Sequence, residues 1–226
     1  LTKVGAGIET LTGANTYTGG TFINAGTLAI GPGGSLAATG AVTLNAAGTG
    51  FDISTAGANQ TIGALNGVAG STVSLGAQTL TLGGVGNSTF DGAISGTGGL
   101  VKQGTGVQTL TGANIFSGGV NLAAGGLVLG NAGALGSGAL TVSGNGSLDT
   151  TAALNLGNAI NLGAALTLPG SQNLTLGGNI TGTGSLVKNG ASTLTLNGTN
   201  TFSGGLNANA GGLLLGNSGA LGTGAL

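Results

Sequence analysis

Short stretches in which apolar and small polar residues alternate run along the whole chain. The clearest are residues 27–30, 41–44, 79–82, 126–129, 174–176 and 194–196. A period of two directs successive side chains to opposite faces of a strand, so that one face of each strand is apolar. Glycine is frequent throughout and costs a helix ~1 kcal/mol per site relative to alanine. The pattern therefore predicts an all-β protein with strands of about three to five residues.

A longer repeat occurs three times, starting near residues 1, 100 and 186. Each copy begins with Leu-x-Lys-x-Gly and continues with Leu-(Thr/Asn)-Gly-(Ala/Thr)-Asn, an aromatic residue and Gly-Gly. Lys102 lies 99 residues after Lys3, and Lys188 lies 86 residues after Lys102. Repetition of this kind is typical of a solenoid. We predict a single continuous right-handed parallel β-helix over residues 1–226 with turns of about 20 residues, so that the two intervals cover about five and about four turns.

Inside such a coil, the leucines of successive turns stack on one another. We predict that Leu82, Leu110, Leu129, Leu176 and Leu196 lie in the core, because leucines of this kind alternate with polar residues. Burial of one leucine side chain contributes ~1.5–3 kcal/mol. The threonines between the leucines are β-branched and suit the outward face of a strand.

Two further positions recur in every copy. They are an aromatic residue before Gly-Gly, which is Tyr17, Phe116 or Phe202, and an asparagine, which is Asn15, Asn114 or Asn200. We expect the aromatic residues to fill the core at a corner, since buried aromatics dominate core energetics, although a ladder that stacks a ligand is the alternative. We expect the asparagines to bond to the backbone of their own turn.

The composition limits the classes of function. Glycine supplies 54 of the 226 residues, and only 3% are charged, which gives a net charge of −1. The 40% of hydrophobic residues argues against disorder, since disordered chains combine low hydrophobicity with high charge. So little charge argues against binding to nucleic acid. The only basic residues, Lys3, Lys102 and Lys188, share one position of the repeat, and we expect them to be solvated or at a turn edge.

The repeat also has a specific resemblance. Leu-x-Lys-x-Gly-x-Gly followed by Leu-Thr-Gly-Ala-Asn-Thr-Tyr-Thr-Gly-Gly and Asn-Ala-Gly-Thr-Leu, in residues 1–31, resembles the autotransporter-associated β-strand repeat, with further copies at 100–130 and 186–216. That repeat is found in passenger regions of Gram-negative type V secreted proteins. The resemblance implies export across the outer membrane through a C-terminal β-barrel that lies outside this chain, and a location on the outer cell surface. Differences between copies, such as Glu9, Gln108 and Leu194, suggest drift at surface positions.

The residues available for chemistry are few. The chain has no histidine and no cysteine, so that the usual general base and thiol nucleophile are missing. Its carboxylates are Glu9, Asp52, Asp91 and Asp149. Asp52 and Asp91 lie about two turns apart, which allows ~10 Å along the axis, but no arginine is present to bind an acidic sugar. We predict no catalytic, cofactor-binding or metal-binding residue.

These observations favour a non-enzymatic extracellular scaffold. It would be the rod or stalk of an autotransporter passenger that serves adhesion, aggregation or surface display, with components of host or neighbouring cells as partners. One alternative is a fibre or matrix subunit that self-associates end to end or side by side. A polysaccharide-active β-helix enzyme and an ice-binding face of threonine rows are further alternatives. Residues 222–226 match 136–140, inside a repeat, so we expect the chain to be a piece of a longer protein.

Overall fold

The computed structural model describes residues 1–226 and confirms the all-β prediction. It contains 27 strands of two to five residues. In chain order they are β1 (Thr2–Lys3), β2 (Ile8–Leu11), β3 (Thr21–Ile23), β4 (Thr27–Ile30), β5 (Val42–Leu44), β6 (Gly50–Asp52), β7 (Gln60–Ile62), β8 (Leu65–Gly67), β9 (Thr72–Ser74), β10 (Leu80–Leu82), β11 (Ser88–Phe90), β12 (Ala93–Ser95), β13 (Leu100–Lys102), β14 (Val107–Leu110), β15 (Val120–Leu122), β16 (Gly125–Leu129), β17 (Leu140–Val142), β18 (Gly146–Thr150), β19 (Leu154–Leu156), β20 (Ile160–Leu162), β21 (Leu166–Leu168), β22 (Leu174–Leu176), β23 (Ile180–Gly182), β24 (Leu186–Lys188), β25 (Leu194–Leu196), β26 (Leu206–Ala208) and β27 (Leu213–Leu215). It has no helical segment of the length and hydropathy needed to span a lipid bilayer.

The strands form four parallel sheets of eleven, seven, five and four strands. The eleven-stranded sheet, here called the long sheet, runs from β1 to β26 and continues along the whole molecule. From β5 to β13 the chain visits the long, the five-stranded and the seven-stranded sheet in turn. From β18 onward the four-stranded sheet takes the place of the five-stranded one in that order. The molecule is therefore a parallel β-solenoid of about eleven turns with three faces.

Paired residues on neighbouring turns lie between 19 and 23 positions apart, as in the pairs Gln108–Leu127 and Val42–Leu65. The predicted turn length of about 20 residues is thus confirmed. With strands ~4.8 Å apart, eleven turns make a rod of about 50 Å.

Stacked aliphatic side chains fill the interior of the solenoid. In the seven-stranded sheet, Leu80, Leu100, Val120, Leu140 and Ile160 follow one another in register, and all are buried. The core residues predicted from the alternation are all buried as well: Leu82, Leu110, Leu129, Leu176 and Leu196. Forty-three buried residues form one cluster, so the core is continuous from turn to turn.

The three copies of the long repeat do not lie on one face. Lys3 and Lys188 belong to β1 and β24 of the long sheet, whereas Lys102 belongs to β13 of the seven-stranded sheet. Counted along the strands, the 99-residue interval covers four turns and two faces, and the 86-residue interval covers four turns and one face. The second copy is therefore rotated about the axis of the rod relative to the other two.

Candidate functional site

The three lysines lie inside the solenoid. Their exposed fractions are 8% for Lys3, 4% for Lys102 and 1% for Lys188, so the expectation that they are solvated was wrong. Lys102 stands between Leu82 and Leu122 in an inward column of the seven-stranded sheet. Lys102 and Lys188 are two residues from the buried Leu100 and Leu186, and side chains two apart in a strand point to the same face. Lys3 is in register with the buried Ile23. The strand geometry thus carries each lysine into the core.

Each buried ammonium group is held by main-chain carbonyls. Lys188 Nζ donates to Gly190 O and to Ala210 O, both at 2.7 Å. Lys102 Nζ donates to Gly104 O and, at 3.4 Å, to Ala124 O. In all three copies one acceptor lies two residues after the lysine and another lies 22 residues after it, on the next turn. We call this arrangement the lysine clamp: the lysine with the carbonyls at those two positions.

The first copy contains the same clamp. Lys3 Nζ donates to Gly5 O at 2.6 Å and to Ala25 O at 3.1 Å, with a further bond to Val4 O at 3.1 Å. Every acceptor is an uncharged carbonyl. The clamp therefore joins two consecutive turns of the solenoid without an ion pair.

A glycine completes each clamp on the next turn. Gly26, Gly125 and Gly211 follow the clamp alanines and have φ values of 67°, 74° and 76°. A Cβ atom at Gly125 would lie 2.7 Å from Lys102 Nζ, and one at Gly211 would lie 2.5 Å from Lys188 Nζ. Glycine is required here both by the left-handed backbone and by the room that the ammonium group needs.

Burial in the core lowers the pKa of Lys102 and of Lys188 below the ordinary value of 10.5. Desolvation penalises the charged form, because an ammonium group in an apolar interior loses its water. Hydrogen bonds to the clamp carbonyls compensate part of this loss. Each clamp thus places a charged group in the core at a cost in desolvation free energy.

The repeated asparagines link turns. Asn114 Oδ1 accepts from Ile94 N at 2.8 Å on the preceding turn, and Asn114 Nδ2 donates to Ala134 O at 2.6 Å on the following turn. Asn200 repeats both bonds, with Ile180 N at 2.7 Å and Ala220 O at 2.6 Å. The expectation of bonding within their own turn was wrong for these two, because the coil places the backbone of adjacent turns within reach of a buried amide.

In the first copy, Asn15 is half-buried and behaves differently. Its Nδ2 donates to Gly13 O at 2.8 Å in its own turn and to Ser35 O at 3.1 Å on the next. The own-turn expectation is met here alongside a bond between turns.

The aromatic position fills the core in two copies. Phe116 and Phe202 are fully buried, and a Cβ atom at Gly136 or Gly222 on the next turn would approach the ring to 3.2 Å or 2.9 Å. Tyr17 is half-buried, and its hydroxyl lies 2.9 Å from Thr21 Oγ1. These rings are packing elements of the corners, as expected.

The position occupied by Glu9, Gln108 and Leu194 is an inward one. Gln108 and Leu194 are buried, and Glu9 is in register with buried Leu28, although Glu9 itself is exposed on the first turn. The interpretation as drift at surface positions was therefore wrong. Gln108 Nε2 donates to Leu65 O at 3.0 Å, and its Oε1 lies 2.7 Å from Ser88 Oγ, so the amide is satisfied within the core.

The carboxylates lie at separate places. Asp52 ends β6 and accepts from Ser54 N at 2.8 Å, whereas Asp91 lies in the corner after β11, two turns further on, and accepts from Thr111 Oγ1 at 2.6 Å. Asp149 accepts from Ser171 N at 3.1 Å. No three or more carboxylate, histidine or cysteine side chains form a group that could hold a metal ion. Each aspartate instead supports a local turn or a link between turns.

Because the lysines are interior, the outer faces carry hydroxyl and amide groups and a few carboxylates. One outward column of the seven-stranded sheet reads, in register, Thr61, Thr81, Val101, Asn121, Thr141, Asn161 and Thr181. Exposed asparagines also bond between turns, as Asn45 Nδ2 does to Asn24 Oδ1 at 2.7 Å. Exposed apolar side chains such as Val85 and Ile115 are scattered among these polar groups, and the outside of the rod is almost uncharged.

The fold and the clamps define a β-solenoid built around three equivalent units, and comparison with known proteins identifies those units. The passenger-associated-transport-repeat matches residues 1–30, 100–129 and 186–215. These three segments are similar to that repeat; we call them the passenger repeats, and each contains one lysine clamp.

The similarity to one known protein extends over more residues than a single repeat. The chain is 38% identical, over 128 residues, to the adhesin BmaC autotransporter of Brucella suis biovar 1 (strain 1330). This match covers 55% of the chain and 4% of the length of that protein. No solved structure matches the chain.

Proposed function

We propose that this chain is a rod-forming section of the passenger of an autotransporter, outside the cell at the surface of a Gram-negative bacterium. The observation that carries the proposal is the presence of three passenger repeats within one solenoid, whose long sheet runs uninterrupted along the molecule. Each turn of a solenoid pairs only with its neighbours, so the stacked turns extend along one axis and form an elongated rod. Such a rod of about 50 Å can carry an adhesive part of a longer protein away from the membrane.

The interior and the surface both support a scaffold that is not an enzyme. The interior is filled by stacked side chains, and its buried lysine and asparagine side chains bond to the backbone of their own and neighbouring turns. The carboxylates are separate and bonded locally. A general acid and base must face one substrate from within hydrogen-bonding distance, and these groups are not arranged in that way.

Adhesion is the role that the relative suggests for the longer protein, since that relative is named an adhesin. We propose that the partner is a component of a host or neighbouring cell surface. The polar, nearly uncharged outer columns would contribute hydrogen bonds rather than long-range attraction. Contact through such a surface would depend little on ionic strength.

The proposal is tested in the full-length protein displayed on a Gram-negative host. Electron microscopy would compare the intact protein with a variant that lacks residues 1–226. We expect a thin rod on the cell surface that is shorter by about 50 Å in the variant, from eleven turns at strand spacing. An unchanged length, or a compact particle in place of a rod, would contradict the proposal. Attachment to host cells, measured on the same two strains, tests the adhesive role separately.

Side-by-side association into a fibre or matrix is a second candidate, favoured by the outward Thr61–Thr181 column, which presents no charge to a second copy. Surfaces with little net charge repel one another weakly. Sedimentation at increasing concentration distinguishes the two functions. Growth of the sedimentation coefficient with concentration supports the fibre, and a constant monomer value supports the isolated rod.

A further inference from the structure

The apolar interior alone does not determine how the turns pair. Inward columns are made of nearly interchangeable leucine, isoleucine and valine, as Leu80, Leu100, Val120 and Leu140 illustrate. A strand that slides by two residues keeps its apolar face inward, because side chains alternate with a period of two. Glycine-rich corners can absorb such a shift. Hydrophobic burial therefore discriminates poorly between the native register and its neighbours.

The lysine clamps strongly favour the native register over a register shifted by two residues. In the native register, each clamp lysine meets a carbonyl of its own turn and one of the next turn, 22 residues on. A slide of two residues moves the next turn by ~6.6 Å, which is beyond hydrogen-bonding distance. The ammonium group would then lie in an apolar interior with fewer partners, which is costly. The clamp glycine would also leave its place beside Nζ, and a side chain would enter it.

We propose that the lysine clamp of each passenger repeat is a register lock, which selects the native pairing of consecutive turns rather than adding to the stability of the fold. A buried polar group can specify register at a cost in stability, as in coiled coils. The three locks divide the rod into segments of about four to five turns, so that an error of pairing in one segment meets a lock before it extends further. The inference rests on the clamp geometry and does not depend on the adhesive role.

The test uses cysteine pairs, since the chain has no cysteine of its own. Val101 and Asn121 are outward neighbours in the native register of the two turns that the Lys102 clamp joins, with Cα atoms ~4.8 Å apart, so that Val101→Cys with Asn121→Cys can form a disulfide. Val101→Cys with Ala123→Cys reports a slide of two residues between those two turns. Their native Cα separation of ~8 Å, from one strand spacing and two residue rises, is too long for a disulfide.

Each pair is placed in the 226-residue chain with Lys102 or with Lys102→Met. The protein is unfolded, refolded and oxidised, and the disulfides are counted by mass spectrometry. Leu122→Met is the matched control, because Leu122 is the buried residue next to Lys102 in the same column. We expect Lys102→Met to raise the yield of the shifted disulfide about tenfold, the effect of ~1.4 kcal/mol of lost discrimination. Leu122→Met should leave that yield unchanged, and the unfolding midpoint of Lys102→Met should not fall.

Two results would overturn the proposal. One is a shifted disulfide that stays absent in Lys102→Met, whatever happens to stability. The other is failure of the methionine variants to fold, since the clamp would then supply stability. Lys188→Met provides an independent repetition, with Val187 and Asn207 as the native pair, Val187 and Asn209 as the shifted pair, and Leu168→Met as the control.

Discussion

The turns of the second passenger repeat and the turns that directly follow it have the same solenoid fold but different side chains in the core. In the second repeat, Lys102, Asn114 and Phe116 bring an ammonium group, an amide and a ring into the core. In the turns that follow, Leu140, Val142 and Leu162 continue the same columns with aliphatic side chains alone. There, polar bonds between turns lie on the outside, as in Asn145 Oδ1 accepting from Ala165 N at 3.1 Å. The aliphatic columns stabilise the rod, whereas the polar side chains of the repeat specify which residues of consecutive turns pair.

The largest effect is expected from a charge in an aliphatic column that has no clamp. Leu196→Asp would bury a carboxylate without partners, and we expect a loss of about 3–5 kcal/mol in the free energy of unfolding. Thr195→Asp, at the neighbouring outward position, is the control and should change stability by about 0.5 kcal/mol or less. Denaturant unfolding measures both. Equal effects of the two substitutions would show that the assigned faces are wrong.

Removal of an aromatic ring at a corner should cause the second largest loss of stability. Phe116→Ala should cost about 3–4 kcal/mol, because the ring is fully buried and the backbone around Gly136 cannot collapse into the space. Tyr17→Ala should cost clearly less, since Tyr17 is only half-buried. Thermal unfolding of both variants tests this order, and a larger loss for Tyr17→Ala would contradict it.

A buried asparagine should matter more than an exposed one that also joins two turns. Asn114→Ala leaves Ile94 N and Ala134 O without their partner in the core, at a cost of about 2 kcal/mol. Asn145→Ala removes an exposed bond, and water can replace it, so we expect about 0.5 kcal/mol. Hydrogen exchange at the amides of Ile94 and Ala165 measures the loss of protection at each site. Similar protection losses at both amides would remove the distinction between repeats and intervening turns.

The smallest effect concerns pH. Burial lowers the pKa of Lys102 in the folded state, whereas in the unfolded chain it stays near 10.5. Between these two values the unfolded state binds more protons, so that stability rises as the pH increases towards 10.5. Lys102→Met should lack this part of the rise. Unfolding midpoints of the two proteins between pH 7 and about 10.5 test the sign, and a larger rise in the methionine variant would contradict it.

The sequence was sufficient for the framework of the fold. Alternation around Leu82 and Leu176 identified inward residues because a period of two admits one apolar face. The turn of about 20 residues expected for a solenoid of short strands agrees with the observed spacing of 19 to 23 residues. The rotation of the second repeat was not predictable, because turn lengths vary between 19 and 23 residues and the small differences accumulate.

The interior polar groups were misplaced for a different reason. Lys102 was expected to be solvated or at a turn edge because all three lysines share one position of the repeat. The structure buries Leu100, two residues before Lys102, and the strand period places both on one side. Its acceptor, Ala124 O, lies 22 residues away and becomes its neighbour only when the turns stack. The signal that could have located the clamp was the recurrence of Ala-Gly or Ala-Ala-Gly at that distance from every lysine.

The lysines of the passenger repeats are interior groups held by the backbone. Acetylation of amines in the folded protein, followed by peptide mass spectrometry, measures whether they can be reached from solvent. We expect Lys102 and Lys188 to remain unmodified in the folded chain and to react readily once it is unfolded in denaturant. Modification of both under native conditions at the rate of the unfolded chain would show that they lie outside the core.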